Sequence, residues 1–110
     1  MATPLNFDRL RTMSQLRQQE WPGSSNATLE FRTIEVAGET GELMEVVKKY
    51  LRGRDGIAGR QASRDEIRDE MAGVIIAVDL LAARLHIDLS VAITNKFNRT
   101  SEKYNLATTL

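Results

Sequence analysis

The sequence predicts an all-α fold, a helical bundle of about four helices per chain that is completed by oligomerisation. Three observations predict it. Apolar residues recur at helical spacing in four segments, prolines and glycines gather between those segments, and no alternating run reads as a strand.

The first helix is expected over about residues 5–20. Pro4 precedes it, a residue favoured at helix starts, and Leu5, Leu10, Met13 and Leu16 give a loose apolar stripe. The segment from Trp21 to Asn26 breaks that helix. Pro22 disfavours helix at Trp21, and Gly23 accepts turn geometry. Thr28 is placed to cap a second helix over about 29–51. Val36, Leu43 and Val47 mark its apolar face, and Glu35, Glu39 and Glu42 run along the edge of that face. Glu45, Lys48, Lys49 and Arg52 point away from it. The glycine-rich stretch 52–59 is expected to be a mobile loop, whose Arg52, Arg54 and Arg60 could approach a phosphate chain. Ser63 with Glu66 three residues on reads as a capping box opening a third helix, to about residue 85. This helix is apolar almost all round from Ala72 to Ala83, so it belongs at the bundle centre or between subunits. A fourth helix follows over about 90–103, and the tail is expected to fray. The whole chain, 1–110, reads as one domain without internal repeats.

Composition narrows the function. Lysine plus arginine balance aspartate plus glutamate at 15 each, so no global field favours nucleic acid or an anionic membrane. There is no cysteine, which excludes disulfides and thiolate metal sites. The opening MATPLNFDRLR lacks the apolar core of a signal peptide. The longest apolar run is interrupted by Asp79 and is too short to span a bilayer. The expectation is a cytoplasmic protein with neither a membrane nor a direct nucleic-acid partner.

The chemistry lies in two carboxylate clusters, Glu39-Thr40-Gly41-Glu42 and Asp69-Glu70. Two glutamates three apart on a helix share a face, with β-carbons about 5–6 Å apart. An acidic residue on a partner helix beside them gathers charges that repel unless a cation neutralises them. A hard divalent ion such as Mg²⁺, which takes oxygen ligands, answers that need. The competing reading is an ordinary solvated acidic face supported by Lys48 and Lys49, and periodicity alone leaves both open.

Four segments carry a resemblance. They are Gly38-Glu39-Thr40-Gly41-Glu42-Leu43, Asp69-Glu70 with the apolar run after it, Leu80 to Leu89, and Lys96-Phe97-Asn98 to Lys103. In order and spacing this series resembles the MazG-like nucleoside triphosphate pyrophosphohydrolases, most closely the short phage and prophage type. The resemblance implies an all-α oligomeric enzyme, a homodimer or homotetramer. It implies that Mg²⁺ or Mn²⁺ serves as cofactor and that a nucleoside triphosphate is hydrolysed to monophosphate and pyrophosphate. It also implies Glu39, Glu42 and Glu70 as metal ligands and catalytic residues, and Lys96 and Asn98 as phosphate contacts. Trp21 would stack on a base, although a hydrophobic staple or a dimer contact would use it equally well. The chain departs from the family at Gly73, which stands where the family has an aspartate ligand. Glu66, one turn before Glu70, is the preferred substitute over Asp69, with a water as a further replacement. An aspartate restored at 73 is expected to raise activity, unless a neighbouring backbone approaches Gly73 so closely that any side chain would clash. Gly73 therefore also keeps an alternative alive: a weakened enzyme, or a non-catalytic helical module that binds nucleotide or a protein partner. Asp79, roughly opposite Glu70 on the third helix, is expected to be an inter-helix or intersubunit hydrogen-bond partner rather than a ligand.

Overall fold

The structure is a computed structural model that describes residues 3–110. It contains four α-helices: α1 (Phe7–Glu20), α2 (Leu29–Asp55), α3 (Arg64–Arg84) and α4 (Leu89–Lys103), with a 3₁₀ turn at Ser24–Asn26. No strand occurs among the described residues. The all-α expectation holds, and most helix boundaries fall where the capping chemistry puts them. Thr28 caps α2 by accepting from the Phe31 amide at 3.0 Å. Ser63 and Glu66 form the complete capping box: the Glu66 amide donates to Ser63 Oγ, and Glu66 Oε2 accepts from the Ser63 amide at 2.9 Å. Asn6 and Asp88 cap α1 and α4 in the same manner.

Three boundaries differ from expectation. Leu5 lies outside α1, because Asn6 takes the cap position and accepts from the Arg9 amide. α2 runs a turn further than residue 51, through Gly53 to Asp55. The helix stops at Gly56, whose φ of +70° is the left-handed conformation that closes helices. The residues after α4 do not fray: Asn105 turns the chain with φ +55°, and the Leu106 amide donates to the Ser101 carbonyl at 2.8 Å.

α2 and α3 form the main helix pair, α1 packs on α3, and α4 packs mainly on α1. The buried positions of α3 are Ala77, Asp79, Leu80 and Ala82. The buried face of α1 is more polar than its sequence suggests. Met13 and Leu16 are exposed, while Ser14 is buried and Arg11 and Gln18 are half-buried. The reason is Asp79, which has 0% of its surface exposed. Arg11 reaches it from α1 with Nε and Nη2, at 3.0–3.2 Å, and Nη2 also donates to the Ile87 carbonyl at 2.7 Å. Small Ser14 and the guanidinium replace an apolar stripe because a buried carboxylate must have a charged, hydrogen-bonding partner. Asp79 is thus the inter-helix partner foreseen.

Removing Arg11 leaves that carboxylate buried and unpaired. Arg11→Met should lower unfolding free energy by about 3 kcal/mol, the low end for a broken buried pair, because 21% of the arginine side chain remains in water. Arg11→Met combined with Asp79→Leu should recover most of the loss. Urea unfolding of both variants measures this, and equal stability of Arg11→Met and the parent protein would contradict it.

Candidate metal centre and adjoining cleft

Antiparallel packing of α2 on α3 brings Glu39, Glu42 and Glu70 together. One carboxylate oxygen from each lies within 4.8 Å of the other two. Glu39 and Glu70 are half-buried and Glu42 is exposed. Three carboxylate oxygens this close, all at the ends of flexible glutamate side chains, could be brought onto one ion by side-chain movement. Three hard oxygen donors with no histidine or cysteine among them suit Mg²⁺ or Mn²⁺ rather than zinc or copper. The donor set fits the ion that the sequence suggests.

The electrostatics agree with the geometry. Partial burial, then the neighbouring charges of Glu42 and Glu39, push the Glu70 carboxyl above its ordinary range. A raised carboxyl pKa means that the folded protein prefers the protonated form. That contribution to stability is present below about pH 4.5, the unperturbed value, and is lost as pH rises through the folded-state pKa. At neutral pH the ionised cluster strains the metal-free protein.

Glu66 does not join the cluster, which corrects its assignment as the substitute ligand. Its Oε2 is held by the Ser63 amide and its Oε1 by Arg60 Nη2 at 2.7 Å. Those two partners hold its carboxyl below the usual range, the Ser63 bond contributing most. Glu66 serves the cap of α3. The arginines of the 52–60 stretch have local work as well: Arg54 pairs with Asp55 at 2.7 Å, and Arg52 donates to the Arg60 carbonyl.

Beside the carboxylates lies a cleft of about 490 Å³, large enough for a nucleoside-sized ligand. Glu39 and Gly73 border it at the end nearest the cluster, and Ile76, Ala77 and Leu80 of α3 form an apolar wall. Trp21 and Phe31, both exposed, stand at its edge. Trp21 therefore lines a cleft that leads to the carboxylates.

Sequence reasoning missed two residues of this cleft. Arg32 is 6% exposed and donates from Nη1 to Glu35 Oε1 at 3.1 Å and from Nη2 to Gln18 Oε1 at 2.9 Å. Gln18 in turn accepts at its backbone carbonyl from the Trp21 amide and from Ser24 Oγ. These bonds tie the Trp21–Asn26 turn to α1, and α1 to α2, beside the cleft. Arg32 shares the helix face of Glu35 and Glu39, at spacings of three and seven, which is the signal that would have found it. Nothing in the pattern singles out Gln18.

Lys96 and Asn98 lie elsewhere in the protomer. Neither belongs to the carboxylate cluster or lines the cleft. Lys96 is exposed, and both polar atoms of the Asn98 amide bond the backbone of Leu110, at 2.8 and 3.3 Å. One protomer does not bring them to the carboxylates.

Comparison with known proteins agrees with the helical pattern. Residues 29–109 match the sequence profile of the MazG-like family, a span that takes in all three clustered glutamates. The chain is also similar to the Gene 37 protein of Mycobacterium phage L5, with 31% identity over 87 residues that cover 76% of this chain and 75% of that protein. With well over half of its length matched, the chain belongs to the MazG-like family.

Proposed function

We propose that the protein is a divalent-metal-dependent nucleoside triphosphate pyrophosphohydrolase. The observation that carries the proposal is the convergence of Glu39, Glu42 and Glu70, with Glu39 also lining a nucleoside-sized cleft. Glu39, Glu42 and Glu70 would hold Mg²⁺ or Mn²⁺. Held by these three residues, such an ion would supply positive charge against the polyphosphate and lower the pKa of water at the site. Glu39 borders both the cluster and the cleft, so its carboxylate is placed to take a proton from an attacking water as general base. In the overall reaction water adds to the α-phosphorus, the bond from that phosphorus to the α–β bridging oxygen breaks, and pyrophosphate leaves. The apolar wall of α3 and the ring of Trp21 receive the nucleoside end. A non-catalytic nucleotide-binding module is the second reading, and Gly73, which offers no fourth carboxylate, favours it.

A homo-oligomer completes the fold in this proposal, and two quantities support it. The accessible surface is 8339 Å², against about 6,100 Å² for a globular monomer of its 12.4 kDa. The radius of gyration is 17.3 Å, against about 13 Å for a compact chain of this length. Ile34 and Met44 on α2 and Met71 and Ile75 on α3 are exposed, although all lie on the two helices that carry the carboxylates. A second copy covering these residues would bury the excess. Such an assembly is also the one route by which Lys96 of a neighbouring subunit could reach the site. No helix is long and apolar enough to cross a membrane among the described residues, and a cytoplasmic setting fits the substrate.

Light scattering at micromolar concentration should give at least twice 12.4 kDa; a sharp monomer would contradict the oligomer. Pyrophosphate should be released from at least one member of a nucleoside triphosphate panel with Mg²⁺ or Mn²⁺. Glu42→Gln should reduce the rate on the order of a hundredfold, since even outer-shell losses at metal sites cost 10–100-fold. Nucleotide binding without any pyrophosphate would select the non-catalytic reading.

Metal should also stabilise the fold. At ten times Kd, Mn²⁺ contributes about 1.4 kcal/mol, raising Tm by about 5 °C in a chain of this size. Protons compete for Glu70, so the rise should be largest near neutral pH. It should shrink as pH falls through the raised Glu70 pKa towards 4.5. A Tm unmoved by either metal at pH 7 would identify the cluster as a solvated acidic face.

A further inference from the structure

We infer that Gly73 is a positioning residue whose missing side chain gives Glu39 its place in the metal centre, an inference that rests on the metal-site reading above. A β-carbon built on Gly73 would lie 2.7 Å from Glu39 Oε2 and 3.5 Å from its Cδ. The first distance is shorter than carbon and oxygen tolerate. Glu39 therefore occupies the space that a side chain at 73 would fill, and no other group stands within 4 Å of that point.

The chain thus answers the absent aspartate differently from the substitution by Glu66 expected of its sequence. Glu66 is committed to the α3 cap. The carboxylate that enters the vacated space comes from across the helix pair. Glu39 leans from α2 over Gly73, which puts it on the border between the cluster and the cleft. Glycine is the poorest helix former apart from proline, and α3 carries it in mid-helix, at a position with no positive φ to require it. Close approach of the Glu39 carboxylate accounts for the choice. An aspartate at 73 would displace that carboxylate instead of adding to it. Gain of activity on Gly73→Asp is accordingly not expected.

Because the obstacle is the end of a flexible side chain and not backbone, Gly73→Ala should fold. Metal-free thermal unfolding should show a Tm equal to or above that of the parent protein. The same variant should bind Mn²⁺ about tenfold more weakly in calorimetric titration, because its methyl group pushes Glu39 off the ion. In a Glu39→Ala background, Gly73→Ala should cost no further Mn²⁺ affinity, since the two substitutions remove one feature. Undiminished Mn²⁺ affinity in Gly73→Ala, or losses that multiply in the double variant, would overturn the inference while leaving the metal site intact. A metal-free Gly73→Ala that unfolds would overturn it as well, by showing a fixed obstacle. Absence of Mn²⁺ binding by the parent protein would refute the metal-site reading itself, and this inference with it.

Discussion

The buried charge of Asp79 constrains much of this fold. A carboxylate with no exposed surface needs a guanidinium, and Arg11 supplies it from α1 while also holding the Ile87 carbonyl between α3 and α4. One arginine thereby ties α1 to α3 and to the α3–α4 connection. With α3 anchored on that side, its opposite side is free to present Glu70 and Gly73 to α2. Glu70 and Asp79 are nine residues apart, two and a half turns at 3.6 residues per turn, so the two carboxylates point in opposite directions. One acid is neutralised by an internal cation and fixes the fold, and the other is left without one.

That division explains why the carboxylate centre is electrostatically unfinished. Glu70 gains no cation from the protein, and Glu39 and Glu42 raise its pKa. Several acids elsewhere have a cationic partner: Glu35 has Arg32, Glu45 has Lys48, Asp65 has Arg68 and Glu66 has Arg60. No arginine or lysine pairs with the Glu39, Glu42 and Glu70 cluster among the described residues, and Glu39 carries that cluster to the border of the cleft. Three carboxylates gathered together with no cation of the protein's own among them are poised for an external one.

Much of this was legible in the sequence, and the limits have physical causes. Capping residues Thr28, Ser63 and Glu66 act within a few residues of themselves, so spacing alone reveals them. Glu39 and Glu42 share a face by helical period, and Glu70 joins them because α3 packs against α2. The error at 52–55 arose because Gly53 resembles a breaker, whereas the helix ends only where Gly56 adopts a left-handed φ. The apolar stripe proposed for α1 misled because burial there is set by a charge on another helix, which no local pattern records. Glu66 could not be excluded as a ligand while its partner Arg60 was assigned to a mobile loop. The meaning of Gly73 required the position of a side chain 34 residues earlier. Lys96 and Asn98 remain away from the cluster in one protomer, since α4 packs on α1 and the chain after it returns to Asn98.

The most direct measurement of the carboxylate centre is anomalous diffraction from crystals grown with Mn²⁺. One manganese peak per protomer should lie within about 2.3 Å of an oxygen from each of Glu39, Glu42 and Glu70, slightly beyond the Mg²⁺–oxygen distance. Manganese at other carboxylates with those three left empty, in crystals containing millimolar Mn²⁺ at neutral pH, would contradict the central claim that this cluster is the protein's metal centre.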